Sequence, residues 1–531
     1  MFGPAGGSRV ARLPMLLVPT ASDLRSRSLT PVSGASLAAY RAAFGVTVFV
    51  EVLRYVGYGW VHDYYVEPAI RLTYWGWGWV PSAPPAVIGG VFVALGAAGL
   101  ALAAGWRTRW AAGAVTLLLG YVFLLEQGRY LNHIYLMVTM AALLALLPAG
   151  RAWSLDARRR SGRWRGDVPA WAVWAVRAHL GVVYVYAAVA KLNPDWLRGE
   201  PIGTWLSPTL ATSPLAFVTD LPNWELLFAW GGLALDGLAL PLLLWRRTRV
   251  AVALALVGFH LFNAWAFSIG VFPWLMIAVL PIFFAPDWPE RLWERLRGAP
   301  AVGALNVSWT ADDGRRTANA SPDVVAPAVG AEPSGTEGDA GMDPASTAAG
   351  APAVRGPGPA LRADGSLAPR PLTAALLACF FAVQLMLPLR HWLTPGDVAW
   401  TEEGHTYSWR MKLRSKHATA ARFHVVADGD TTTVWPRDVL VDWQARKVPT
   451  RPDLVLQVAH RLAADARADG AEAVSVYASI EVQLNDRPPQ LFVDPAVDLA
   501  AEPRSLRKKH WIVPLDRAGR GPRLDDLGNG P

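Results

Sequence analysis

Nine apolar runs, each near the ~20 residues that a helix needs to cross a bilayer, divide the chain at 35–56, 86–105, 109–126, 131–149, 170–190, 225–245, 249–268, 270–286 and 371–389. The eighth is the shortest. The polar stretches between them are uneven. "WRTRW" at 106–110, "RAWSLDARRRSGRWRG" at 151–166 and "WRRTR" at 245–249 alternate with base-poor loops such as "EQGRY" at 126–130. By the positive-inside rule the arginine-rich loops are cytoplasmic, so the N-terminal tail, residues 1–34, lies inside and everything after the ninth span lies outside. The "LPMLLVP" run in that tail is too short for a signal-peptide core. Residues 35–299 then form a bundle of eight spans.

The pattern changes twice more. Residues 300–370 are rich in Ala, Gly, Pro, Ser and Asp, with almost no aromatics and no periodicity. Such a stretch buries too little apolar surface to offset the cost of ordering, which predicts a disordered cytoplasmic linker before the ninth span, 371–389. Beyond 390, "ARFHVVADGD", "TTTVWPRDVLV", "AVSVYASIEVQL" and "QLFVDP" concentrate β-formers between turn residues, with one helical pattern at 452–468. The expected fold is a polytopic α-helical membrane bundle of about nine spans with a C-terminal, mostly-β extracytoplasmic domain at 390–531.

Composition agrees: 53% of the 531 residues are hydrophobic and only 17% charged, with 26 Trp. The net charge of +8 sits in short clusters between apolar runs, which suits topology signals rather than a phosphate-binding face and argues against nucleic acid. The Trp and Tyr of "GYGWVHDYYVEP" and "YWGWGW" read as an interfacial belt. Cys379 is the only cysteine, so no intrachain disulfide and no cysteine metal site exists.

Polar residues within the apolar runs carry the chemistry. Lys191 is the only lysine in the first 411 residues. A snorkelling anchor at a helix end suits its position, but arginine would serve there; lysine alone can give up its proton on burial. Asn132 and His133 open the fourth span, where a cap and an interfacial His are the plain alternative. His260 and Asn263 share one face of the seventh span, where an interhelical hydrogen bond is the plain alternative. The topology gathers all of these in the outer half of the membrane, where ionisable groups mark a pathway or a site. Arg177 and His179 lie toward the inner half and read as structural.

"LNHIYL", "AKLNPDW", "FHLFNAWAFSIGVF", "YSWRM" and "LNDRPPQLFVDP" follow one another in an order and spacing that resemble vitamin K-dependent γ-glutamyl carboxylases. The membrane part alone is similar to the wider horizontally transferred transmembrane domain family. The resemblance implies a bacterial homologue in the inner membrane. It also implies a reaction: vitamin K hydroquinone (or menaquinol) is oxygenated by molecular oxygen to the epoxide, a strong oxygen base takes a glutamate γ-proton, and carbon dioxide adds to give γ-carboxyglutamate. A cofactor is needed because no side chain is basic enough, lysine at about 10 being the most basic ordinary one. No metal is implied.

The resemblance assigns Lys191 as the base toward the hydroquinone. It assigns Asn132, His133 and His260, with Asn263 beside them, as residues that contact the cofactor. It puts Tyr407, Trp409 and Met411 of "HTYSWRM" in the glutamate site of a Glu-containing peptide or protein, with His405 and Lys412 standing where the family carries an aromatic and a second methionine. Asn485, Asp486 and Asp494 are candidates near that site. Two further readings stay open: a quinone oxidase or epoxidase that carboxylates no peptide, and a transporter or export-associated protein, for which no inverted repeat is visible. The oligomeric state is left open.

Overall fold

The computed structural model describes residues 21–267, 269–298 and 367–527. Residues 1–20 of the expected tail and 300–366 of the expected linker lie outside the described residues. The long helices are α1 (Ala35–Gly57), α2 (Pro85–Ala104), α3 (Thr108–Leu125), α4 (Asn132–Leu146), α5 (Ala170–Lys191), α6 (Glu200–Ala211), α7 (Trp224–Leu244) and α8 (Arg249–Ala266). α9 (Phe272–Val279), α10 (Trp288–Leu296) and α11 (Pro371–Met386) follow. Each of the nine apolar runs folds as helix, but not all are full spans. Among the described residues seven helices are long and apolar enough to cross a membrane. α4 has 15 residues, about 22 Å of rise against a hydrocarbon core of about 30 Å. The eighth run becomes Phe272–Phe283 and bends by 94° into α10, with Phe284 to Asp287 interrupting the helix.

The protein is a polytopic helical bundle with a C-terminal β-containing domain. α1 and α2 pack through small residues: a Cβ on Gly45 would lie 2.5 Å from the Ala103 nitrogen and 2.6 Å from the Gly99 carbonyl oxygen, so only glycine permits that approach. At the same end of the bundle the buried Arg41 donates to the carbonyls of Ala149 (2.9 Å) and Trp153 (2.6 Å). Only 17% of the apolar window of α8, and 11% of that of Pro371–Leu393, is buried within the protein. The remaining apolar surface requires lipid, because water would leave it unburied.

In the C-terminal domain, β1 (Lys416–Ala427), β2 (Asp430–Val434), β3 (Val474–Leu484) and β4 (Gln490–Leu491) form one antiparallel sheet in the order β2-β1-β3-β4. Phe423 pairs with Ala478, and the register shifts between Ala418 and Ala420. Helix α12 (Pro452–Ala468) lays Leu454, Val455, Val458 and Leu462 on it. Ile70 and Leu72, from the loop between α1 and α2, complete this core, so the domain is seated on the bundle. Trp443 Nε1 donates to the Asp63 carbonyl at 3.0 Å, and Arg451 and Lys447 donate to the Gly128 carbonyl at 3.3 and 3.2 Å. The loops that meet this domain lie at one end of the bundle. The arginine-rich loop 151–166 lies at the other, held by Arg165 to Glu294 at 3.0 Å.

Candidate functional site

α5 ends at Lys191, whose side chain is 8% exposed. Its Nζ lies 2.5 Å from Asp236 Oδ2 on α7, itself 7% exposed. Burying either charge alone would cost several kcal/mol, so each makes the other tenable. The Lys191 ammonium also sits 5.2 Å from the Trp196 ring. The expected lone lysine is therefore half of a buried pair. The lone acid in the apolar run "FAWGGLALDGLAL" was as legible a signal as the lone lysine.

The pair lines a cavity of about 850 Å³ between α1, α4, α5, α6, α7, α8 and α9. His133, His260, Asn132 and Asn263 line it too. His260 is 2% exposed; its Nε2 shares a hydrogen bond with Tyr184 Oη at 3.3 Å, while its buried Nδ1 has no partner. The rings of His133 and His260 lie 6.4 and 6.0 Å from Phe272. Between the polar groups the walls are Leu227, Phe228, Leu235, Phe259 and Phe262, and Gly231 and Gly258 leave open space where a Cβ would project. An apolar body with a polar head suits such a cavity, whose size falls within the ~300–1,000 Å³ of small-molecule sites. Arg177 and His179 do not line it: Arg177 donates to the Ile282 and Phe284 carbonyls, and His179 packs 5.2 Å from Phe380.

The mouth is closed by a strained segment of the C-terminal domain. Glu402, Tyr407, Trp409 and Lys412 all hold left-handed backbone, with φ of 61°, 60°, 55° and 50°. Non-glycine residues adopt it only where surroundings over-determine them, and such strain gathers at functional sites. The surroundings here are the bundle. The Tyr407 N–H donates to Tyr130 Oη (2.6 Å), Tyr130 Oη donates to Asn132 Oδ1 (2.9 Å), and Asn132 Nδ2 donates to the Arg410 carbonyl (3.1 Å). The Asn132 side chain thus latches this segment. Tyr407 enters an aromatic cluster with Tyr135 (5.0 Å) and Tyr130 (5.4 Å), and Trp409, 1% exposed, lies 5.2 Å from Tyr135. Both belong to the core of the bundle rather than that of the sheet. Of the expected peptide contacts, Met411 lines the cavity, while Tyr407, Trp409 and His405 do not.

His405 lies 3.6 Å from Glu402, and burial pushes its imidazole down to about 3 against the pull of that carboxylate. Burial alone would raise Glu402, but Arg414, which is bonded to it, and His405, Lys416 and Arg451 outweigh that and hold it well below the usual carboxylate range. This cluster is internal to the C-terminal domain.

Arg54, Arg129, Arg410 and Lys412 bring positive charge to the cavity, and of these only Lys412 was singled out in the sequence. Glu51 takes Arg54 at 2.5 Å. Arg129 stacks 3.6 Å over Tyr64, and the buried Nε atoms of Arg129 and Arg410 have no partner. Burial pushes Arg410 down to about 10 and lowers Lys412, whose Nζ lies 5.0 Å from the Phe267 ring centre. Arg129, Arg410 and Lys412 have no carboxylate bonded to them among the described residues, an arrangement that suits an acidic ligand.

The "LNDRPPQ" stretch meets "KLNPDW" directly. Asn485 Nδ2 donates to Asp195 Oδ2 (2.8 Å), and Arg487 donates to both oxygens of Asp195 (2.9 and 2.7 Å) and to Glu200 (3.2 Å). Thr204 donates to Asp486 Oδ1 at 2.7 Å, while Asp494 accepts from the Ala496 N–H in a turn away from the cavity. Among the described residues no group of three His, Cys, Asp or Glu is arranged to hold a metal ion.

Two family models match the chain: one described as HTTM domain over residues 29–288, and one described as vitamin K-dependent gamma-carboxylase, lumenal domain over residues 369–518. No solved structure matches it. The first match covers the bundle up to the start of α10, and the second takes in α11 together with the domain that caps the cavity; with both in this order the chain is an integral membrane protein that belongs to a γ-carboxylase-like family.

Proposed function

We propose that the chain is a vitamin K-dependent peptidyl-glutamate carboxylase whose quinol and glutamate sites share the cavity described above. One observation carries the reading: the buried Lys191–Asp236 pair and the unpartnered Nδ1 of His260 meet one apolar cavity whose mouth is lined by Arg129, Arg410 and Lys412. A quinol, whether vitamin K hydroquinone or menaquinol, fits the first set and a glutamate carboxylate the second. When bound, the quinol, oxygenated by molecular oxygen, supplies the base strength that no side chain has, and carbon dioxide is the carbon added to the peptide.

The residues divide the remaining work. Leu227, Phe228 and Phe259 hold the apolar part of the quinol, and His133 and His260 orient its oxygens and stabilise the negative charge that develops on them. Asn263 lies beside His260 and serves the same end. Asn132 acts at one remove, by holding the Arg410 carbonyl. Lys191 Nζ receives the phenolic proton, and the 2.5 Å contact lets Asp236 Oδ2 hold the proton that Nζ must first give up. Met411 and the cations of the mouth bind the Glu-containing peptide, and the strained segment at Tyr407–Lys412 excludes water from the cavity.

The alternation of arginine-rich loops with loops that meet the C-terminal domain supports a topology in which that domain lies outside the cytoplasm, on the outer face of a bacterial inner membrane. Residues 35–299 and 371–389 then form the catalytic bundle, 390–531 presents the peptide, and 1–34 and 300–370 are cytoplasmic.

The test is incorporation of labelled carbon dioxide into a Glu-containing peptide by the purified chain with reduced vitamin K. Label in the peptide together with epoxide is the expected result. A second reading, quinol epoxidation without carboxylation, is favoured by the placement of Tyr407, Trp409 and His405 outside the lining of the cavity. Epoxide without labelled peptide would establish it, and neither product would sink both.

A further inference from the structure

A second cavity, of about 750 Å³, opens at the opposite end of the bundle from the C-terminal domain, between the start of α3, the end of α4, the loop that follows it and the start of α11. The rise of α4 from His133 to Leu146, about 20 Å, separates it from the site at His133. Arg107, Arg109, Arg151, Arg159, Arg160 and Arg370 line it, and Asp156 is the one acid among them. That acid is already engaged. Its carboxylate accepts the backbone N–H groups of Arg107 and Thr108 and the Thr108 hydroxyl, each at 2.8 Å, which caps α3.

The arginines are not engaged in the same way. Arg160 donates to the Asp156 and Gly150 carbonyls. Arg151 Nη1 is buried without any partner, and burial together with Arg160 and Arg109 lowers its basicity. The side chains of Arg109, Arg159 and Arg370 donate no hydrogen bond to a described residue. Packing like charges around a walled space costs energy that an anion bound among them returns. The rest of the wall is apolar: Trp110, which is 80% exposed, Leu146, Leu147 and Trp171.

We propose that this cavity binds a phosphate-bearing anion, presented by an anionic phospholipid headgroup or as a free phosphate. Arginine suits it because its planar fork bonds phosphate oxygens in pairs, and topology alone requires only charge near the membrane, not a walled pocket with an unpaired guanidinium. The site is independent of the reaction assigned to the other cavity.

The experiment uses the full chain in a neutral detergent. Binding is followed by thermal unfolding and native mass spectrometry as phosphatidylglycerol, phosphatidylcholine or inorganic phosphate is added. Saturable binding of phosphatidylglycerol but not phosphatidylcholine assigns the lipid source, and saturable stabilisation by inorganic phosphate assigns the free anion; either supports the site. The Arg109→Gln/Arg370→Gln double variant breaks no side-chain hydrogen bond among the described residues, and it should bind about 10-fold or more weaker, the loss of one or two charge-assisted hydrogen bonds. Arg159→Gln is the second variant should the first fail to fold. An Arg246→Gln/Arg247→Gln control removes two charges from another basic loop and should bind as wild type. Absence of saturable binding by any of the three probes, wild-type affinity in the cavity variants, or an equal loss in the control would overturn the proposal.

Discussion

Arg487, from the turn after β3, closes on Asp195 with both terminal nitrogens, at 2.9 and 2.7 Å, four residues along the chain from Lys191. This fork joins the C-terminal domain to the end of α5, and both partners are buried, with side chains 9% and 7% exposed. The position of the catalytic candidate is therefore fixed from outside the bundle as well as from Asp236. Arg487→Ala should cost about 2–5 kcal/mol, the range for truncating one partner of a buried hydrogen-bonded charge pair. Arg487→Lys should not restore it, since a point charge cannot reproduce the fork. Thermal unfolding and the ratio of epoxide to carboxylated product check this; unchanged melting and turnover in Arg487→Ala would show that the contact is idle.

The unpartnered Nδ1 of His260 makes a second prediction. A buried donor or acceptor left unmade costs about 1–3 kcal/mol, and the protein tolerates it beside an apolar cavity. His260→Phe should therefore melt at or above the wild-type temperature while quinol-dependent turnover falls by about 10²-fold, the size of one lost charge-stabilising contact. His133→Ala should also lower turnover in a folded protein. If either variant loses stability but keeps its activity per folded molecule, the histidines are packing residues.

Lys416, in β1, sets a pH dependence for the C-terminal domain. Burial pushes its ammonium down to about 7, against the pull of Glu402. Nζ donates to the Trp400 and Thr450 carbonyls, at 2.5 and 2.8 Å. Between about 7 and the ordinary lysine value near 10.4, the unfolded chain binds more protons than the folded one, so stability rises with pH across that window. Lys416→Met should flatten the rise. Denaturant midpoints of the full chain, read by tryptophan fluorescence between pH 7 and 10, test the sign; a midpoint that falls with pH in the wild type contradicts it.

Much of this was legible in the sequence because bilayer spans and charge asymmetry are long-range patterns. The nine apolar runs all became helix, and the β-rich runs and the helical pattern at 452–468 became the sheet of the C-terminal domain and α12. What stayed hidden depends on tertiary contact. Asn132 does not cap α4, whose N-cap is Leu131 with no side-chain bond; its role as a latch is visible only once Tyr130 and Arg410 meet it. Tyr407 and Trp409 could not be assigned to the bundle core rather than to the sheet, because the alternation that settles such a choice is broken by left-handed backbone at both. Asp236 was readable by the rule that picked out Lys191, an ionisable residue alone in an apolar helix.

The Lys191–Asp236 pair carries the last prediction. If Lys191 takes the phenolic proton, Lys191→Arg should be nearly as inactive as Lys191→Ala, because arginine keeps the charge but cannot act as a base. Asp236→Asn keeps the shape of its partner but removes the place where the lysine proton can go, so turnover should drop by about 10²–10⁴-fold, the usual contribution of acid–base groups. A purely structural ion pair predicts another outcome. Removing one partner of a buried pair costs about 3–5 kcal/mol, whereas replacing both by apolar residues is often neutral or stabilising. The double variant Lys191→Met/Asp236→Leu should therefore recover the melting temperature that the single variants lose. Under the structural reading it would recover epoxide formation too; under the assignment made here it stays inactive. A small amine added to Lys191→Ala should restore part of the turnover by standing in for the missing base. Epoxidation and carboxylation should fall together in every inactive variant, since the first precedes γ-proton removal. Wild-type epoxidation in Lys191→Arg, or in the apolar double variant, would end the assignment of Lys191 as the base.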